Sequence, residues 1–174
     1  MSRAIVGFYS GWRADSAGRT LDDIRSWDHN RLERTHDYIQ WLFPLRERSQ
    51  ANPSAPVLDD DQIRAFRADE QLQRELLKSF DRMLGFYGFQ RTGACVERSA
   101  AWEERSANWL TAGNHNMLRI TRILKSLSTL GLRQYATAFF ETLEHVYASD
   151  AGRTIGEVTY RHWKDAASTI PENP

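Results

Sequence analysis

The chain has 174 residues, 41% of them apolar, with six Trp and eight Phe; this excludes a disordered chain and suffices for a buried core. Lys plus Arg and Asp plus Glu number 23 each, so no net charge steers it toward nucleic acid or lipid. Its one cysteine, Cys95, excludes an internal disulfide, no CxxC or Cys/His zinc spacing occurs, and Cys95 reads as an ordinary loop or packing residue.

Helix signals recur along the chain. Thr20 with Asp23 has the capping-box spacing and predicts a short helix reaching Trp27. Asp28 predicts the cap of a second helix, in which Leu32, Ile39 and Phe43 share a face with an inward His36 between them. Pro44 ends that helix near Leu42, because the residue before proline disfavours helical torsions. Residues 44–58, carrying Pro44, Pro53 and Pro56, read as a loop pinned across the helices.

Asp59, Asp60 and Asp61 favour the N-terminus of a helix that runs through Phe66. Asp69 predicts the cap of a long helix with Leu72, Leu76, Phe80, Met83 and Tyr87 as its stripe, ending at Gly88. Residues 89–98 read as loop, since no alternating run or NG or DG turn marks a hairpin. Further helices are expected over 99–109, 115–130 and 132–148. Thr154 with Glu157 predicts a second capping box opening a last helix to about Ala167. The expected fold is all-α: one domain over 1–167, a bundle of seven or eight helices with the Pro-rich loop packed across it, and a frayed tail at 168–174. No leader-like segment opens the chain and no window approaches about 18 apolar residues, so the expected compartment is the cytoplasm, with no membrane span.

Enzyme motifs are absent: no GxGxxG, Walker loop, GxSxG or HExxH occurs. Three constellations remain. Glu33 and His36 have the i, i+3 spacing of metal ligands on helical bundles and could join His115 or His145, although one instance is a weak signal and a hydrogen-bonded core histidine is the plainer explanation. Residues 105–140 contain no Asp or Glu but carry Arg105, Arg119, Arg122, Lys125 and Arg133. Arg119, Arg122 and Lys125 share one helical side with Ser126 and Thr129. That side is either a solvated or internally paired face, or an anion site completed by His115 and Asn116 at the helix start. Tyr38, Trp41 and Phe43 before the Pro-rich loop are either core or the lining of a groove for a short aromatic peptide.

Two long segments, HDYIQWLFPLRERS with the NPSAP loop (36–56) and HNMLRITRILKSLSTLGL (115–132), resemble signatures of the opioid growth factor receptor conserved domain. FYSGWRADSAGRTLDDI (8–24), MLGFYG (83–88) and GLRQY (131–135) follow in the same order, and the match fades after about residue 147. The resemblance implies an enkephalin-type peptide receptor domain without catalytic residues. Eukaryotic members carry long C-terminal tails; this chain has neither such a tail nor a basic nuclear-localisation cluster, which places it by expectation among shorter, microbial members. The expected function is non-enzymatic binding of a small peptide or anionic ligand, or of a protein partner, with no cofactor and no metal. The ligand-binding candidates are His36, Asp37, Gln40, Trp41, His115, Asn116, Arg119, Arg122 and Lys125. Two alternatives stand beside it: a metal- or phosphate-dependent enzyme using His36, His115, Arg119 and Arg122, and a nucleic-acid module using the 105–140 segment.

Overall fold

The computed structural model describes residues 3–149 and 151–168. They form two compact units, one ending at Arg82 and the other beginning at Met83. Helices dominate: eleven are present among the described residues, with a single two-stranded sheet. The number exceeds seven or eight because short helices divide segments that the sequence pattern runs together.

In the first unit, α1 (Ala4–Tyr9) has no side-chain cap of its own. Its Ile5 N–H instead donates to Oε1 of Gln62, at 3.1 Å. Gln62, 2% exposed, also donates from Nε2 to the Val57 carbonyl, at 3.2 Å. One buried amide thus satisfies an orphan helix N–H and ties down the end of the Pro-rich loop.

The local caps form as the sequence predicts. α2 (Leu21–Arg25) opens with the reciprocal Thr20–Asp23 box, at 3.1 and 2.8 Å. Asp28 caps α3 (His29–Arg34) at 2.7 Å. α4 (Ile39–Leu42) follows, and Asp59 caps α5 (Asp60–Ala68) at 2.8 Å. Asp69 accepts from the Gln71 and Leu72 N–H groups, at 2.8 and 3.3 Å, to start α6 (Glu70–Tyr87), which runs on into the second unit.

The expected continuous helix from Asp28 to Leu42 does not form. It breaks at Thr35, a β-branched residue with extended torsions, φ −97° and ψ 131°. The break lets Tyr38 enter the core and donate to the Leu32 carbonyl at 3.1 Å, satisfying one of the acceptors that α3 leaves at its end. It also turns His36 outward. The imidazole expected in the core is exposed, because 32, 36, 39 and 43 no longer share a face.

A polar node lies inside this unit. The Tyr9 hydroxyl donates to the Leu42 carbonyl, where α4 stops ahead of Pro44, and lies 3.3 Å from Oγ of Ser79, itself fully buried. Arg25 extends the node: Nε to Ser79 at 3.2 Å, Nη1 to the Glu75 carboxylate at 2.7 Å, and Nη2 to the Glu75 carbonyl at 2.6 Å. Burial pushes the Tyr9 hydroxyl well above the usual phenol range. Burial alone would raise the Glu75 carboxyl, but hydrogen bonds and charge from Lys78 and Arg25 outweigh it and hold the group below its ordinary range.

In the second unit, the segment expected to be loop is a hairpin: β1 (Phe89–Thr92) pairs antiparallel with β2 (Cys95–Arg98). The two-residue connection Gly93–Ala94 has positive φ only at Gly93, the II′ pattern that matches strand twist. Four-residue strands are too short to show alternation, so this Gly-Ala turn was the one available signal. α7 (Trp102–Ser106) is shorter than the 99–109 helix expected. Gly88 before the hairpin has φ +90°, and a Cβ there would lie 3.0 Å from the Trp102 backbone, so both torsion and space require glycine.

α8 (Asn116–Thr129), α9 (Arg133–Tyr147) and α11 (Glu157–Ser168) pack pairwise, with β2 against α9. The Trp163 indole donates to the Met117 carbonyl at 3.1 Å, and Ser128 donates to the Ala166 carbonyl at 3.2 Å. The second capping box is not made. Thr154 lies inside α10 (Gly152–Ile155), and Gly156, at φ 77°, supplies the turn into α11 in its place. Of the expected tail, Ser168 closes α11 and 169–174 lie outside the described residues. Among the described residues, no helix is long and apolar enough to cross a membrane.

Two outcomes test the node. Tyr9→Phe leaves the Leu42 carbonyl without its donor and should lower stability by about 1–3 kcal/mol in urea denaturation, whereas a loss under about 0.5 kcal/mol would contradict the assignment. Because the folded-state carboxyl of Glu75 is depressed, its contribution is full above pH about 4.5 and fades as pH falls through the lower folded value. The stability gap between the parent and Glu75→Gln should therefore shrink between pH about 6 and about 2; a pH-independent gap would remove Glu75 from the node.

Candidate functional site

The Pro-rich segment 45–57 of the first unit is a strap without helix or strand. Its base closes through the Leu58 N–H to the Leu45 carbonyl at 2.9 Å, with Ala55 and Leu58 buried as anchors. An Arg46–Asp60 ion pair at 2.5 Å fastens it to the first turn of α5. Arg48 donates to the Pro53 carbonyl at 2.9 Å, and Ser49 Oγ accepts from the Asn52 N–H at 3.2 Å, so the tip folds on itself.

Two long hydrogen bonds tether the tip to α4 and to the residues just before it. Gln40 Nε2 reaches Ser49 Oγ at 3.4 Å, and Asn52 Nδ2 reaches the Asp37 carbonyl at 3.4 Å. Gln40 and its neighbour Trp41 are each 4% exposed. The Trp41 ring packs at 5.3 Å from that of Phe8, consistent with the burial its place before Pro44 predicts. Yet Nε1 of Trp41 and Oε1 of Gln40 are buried without hydrogen-bond partners. A buried polar atom without a partner costs about 1–3 kcal/mol, so two on neighbouring residues need a cause.

Asp37 is exposed and paired: Arg19 Nη1 meets it at 2.9 Å while Arg19 Nε holds Asp15 at 2.6 Å. Burial would lower the Arg19 pKa, but the bonds to Asp37 and Asp15 outweigh it and raise it. The same guanidinium lies 5.4 Å from the Trp27 ring, with Arg31 4.3 Å from that ring. Asp15, Arg19, Ser49 and Asn52 are the residues that sequence reasoning missed at this site. Nothing in their periodicity marks them; Ser49 and Asn52 lie in the stretch its prolines mark as a loop, and the segment of Asp15 and Arg19, FYSGWRADSAGR, was visible only as part of a resemblance.

The other candidates lie in the second unit, on α8 and at its start. Asn116 is fully buried and accepts from Arg119 Nη1 at 3.3 Å; Arg119 is 6% exposed. Arg122 and Lys125 are half-buried, while His115 is exposed. The side of α8 that carries the arginines is therefore not an open face. Ser126 and Thr129 on it are buried as well, because α8 is enclosed on nearly all sides, and its one strongly exposed apolar residue is Leu118. Arg105, at the head of the acid-free segment, donates to the Phe86 carbonyl at 3.2 Å and lies 5.7 Å from the Phe86 ring. Among the described residues, no group of three or more His, Cys, Asp or Glu could hold a metal ion.

A family model, "Opioid growth factor receptor (OGFr) conserved region", matches residues 8–149. The chain is 44% identical over 125 residues to the opioid growth factor receptor of Rattus norvegicus, covering 68% of this chain and 21% of that protein. It is 41% identical over 119 residues to the Homo sapiens protein of the same name, covering 66% and 17%. It is also 40% identical over 121 residues to opioid growth factor receptor-like protein 1 of Mus musculus, covering 68% and 25%. The chain thus spans a quarter or less of the length of these relatives. They are mammalian, and they give the expected microbial placement no support. No solved structure matches the chain.

The packing at Trp41 has a direct test. Trp41→Ala should cost ~3–5 kcal/mol, the range for emptying a large aromatic core site. A loss within about 0.5 kcal/mol would mean that the indole is not part of the core.

Proposed function

The chain belongs to the opioid growth factor receptor family, and we propose that it serves as a non-enzymatic ligand-binding domain that holds a short peptide beneath the 45–57 strap. The observation that carries this reading is the pair of buried, unpartnered polar atoms on α4, Trp41 Nε1 and Gln40 Oε1. A strap on a rigid helical base, tethered at its tip by two 3.4 Å hydrogen bonds, suits a site that opens to admit a ligand. The relatives' name, receptor, agrees with a binding role. Asp37, Gln40 and Trp41 are the residues assigned to the site, and His36 stands exposed at its edge.

The rival readings have less support. An enzyme built on His36 and His115 would need further ligands or a base, and the described residues bring no such cluster together. An anion or nucleic-acid site on α8 would need open cations, and Arg119 is 6% exposed.

The test is titration of the whole chain with an enkephalin-type pentapeptide, followed by calorimetry and thermal melting. Saturable binding at one site is expected, with a melting temperature that rises with peptide concentration. No heat and no shift at about 1 mM peptide, where even a weak complex forms, would overturn the proposal.

A further inference from the structure

A second opening lies in the first unit, apart from the strap site. It is a cleft of about 590 Å³ between α1 and α5, within the size range of small-ligand sites. Val6 of α1 with Ala65 and Ala68 of α5 form its apolar wall. Its polar lining divides into groups that are engaged and groups that are not. Gln62 uses both ends of its amide, Oε1 on the Ile5 N–H at 3.1 Å and Nε2 on the Val57 carbonyl at 3.2 Å. Asp61 and Arg64, one turn apart, are an ion pair with each other. Asp59 accepts the Gln62 N–H at 2.8 Å as the cap of α5, and its charge meets no cationic side chain among the described residues. The exposed Arg3 guanidinium has neither a hydrogen bond nor an ion pair among the described residues. One carboxylate and one guanidinium therefore line the same cleft without meeting each other.

We propose that this cleft binds a small dipolar molecule, a free aliphatic α-amino acid, through Arg3 and Asp59. Arg3 takes the carboxylate, since a guanidinium presents paired donors to it. Asp59 takes the ammonium with the acceptor capacity that capping leaves. The aliphatic side chain lies on Val6, Ala65 and Ala68. Charge balance selects this class of ligand. An anion without an amine would face the Asp59 charge uncompensated, and a cation without a carboxylate would face that of Arg3. A dipolar ligand compensates both, and the lining stays neutral, with Arg3 and Arg64 against Asp59 and Asp61. Protein walls also screen such contacts less than open water does. None of these residues belongs to the strap site, so the proposal stands or falls apart from the peptide reading.

The experiment titrates the whole chain with L-leucine, N-acetyl-leucine and leucinamide, following backbone amide signals in ¹⁵N-correlated spectra. Acetylation removes the ammonium and amidation removes the carboxylate. The variants are Arg3→Gln and Asp59→Asn. Arg3 has no partner to lose, and Asn caps a helix about as well as Asp, so both variants should fold, which thermal melting checks. Leucine should saturate with shifts centred on α5, and each blocked form should bind at least about tenfold worse, the worth of a hydrogen bond to a charged group. Asp59→Asn should weaken leucine by a similar factor and remove its advantage over N-acetyl-leucine. Arg3→Gln should do the same for its advantage over leucinamide. No shift at about 20 mM leucine would overturn the proposal. Equal binding of either blocked form to the parent overturns recognition of a dipolar ligand. Saturable binding that neither variant weakens places leucine elsewhere and overturns the site.

Discussion

The first unit is organised around one carbonyl. Helix α4 lasts four residues because Pro44 lies just beyond it, and its end leaves the Leu42 oxygen buried and without a helical donor. The Tyr9 hydroxyl of α1 fills that vacancy. Its burial raises its pKa further above that of an ordinary phenol. Ser79 on α6 and Arg25 on α2 join the same node, which links four helices through one short stretch of chain. The strap begins directly after this fixed point, so its first residue is anchored while its tip is tethered by longer bonds.

Much of this was legible in the sequence, in physical terms. Thr20–Asp23, Asp28, Asp59 and Asp69 all act as caps because capping needs only a local side chain at the right spacing. Pro44 ends α4 for an equally local reason. The misreadings arise where tertiary partners decide. Thr35 breaks a pattern that is helical on paper, and the gain is a buried Tyr38 bonded to Leu32. The second box failed because Thr154 was drawn into α10 and Gly156 could make the sharper turn. The hairpin at 89–98 rests on packing, with Val96 buried and its carbonyl accepting from Thr142 at 2.6 Å, a contact no four-residue strand announces. On α8 a period of 3.6 with interspersed arginines suggests one wet side. That inference fails when a helix is enclosed on nearly all sides, and sequence alone does not count its neighbours.

The candidate site shows a similar division. Trp41 was conspicuous by its position ahead of Pro44, with Gln40 named beside it as a ligand candidate, and burial of the indole follows from that position. That two of their polar atoms lack partners could not be read from residue types, since it depends on what approaches them. The contrast with other indoles is informative. Trp109 donates to the Tyr87 carbonyl at 3.0 Å and Trp163 to the Met117 carbonyl at 3.1 Å. Both of these indoles are satisfied by carbonyls, whereas the buried Nε1 of Trp41, beside the Gln40 that the strap tip contacts, has no such partner.

That departure offers the most direct measurement. Six tryptophans give six indole N–H signals in a ¹⁵N-correlated spectrum, and single Phe replacements assign those of Trp41, Trp109 and Trp163. On titration with the pentapeptide, the Trp41 signal should move to lower field as its N–H gains an acceptor, while the Trp109 and Trp163 signals, already bonded to carbonyls, stay in place. A Trp41 signal that does not move at saturating peptide, or moves no more than those of Trp109 and Trp163, would contradict the account.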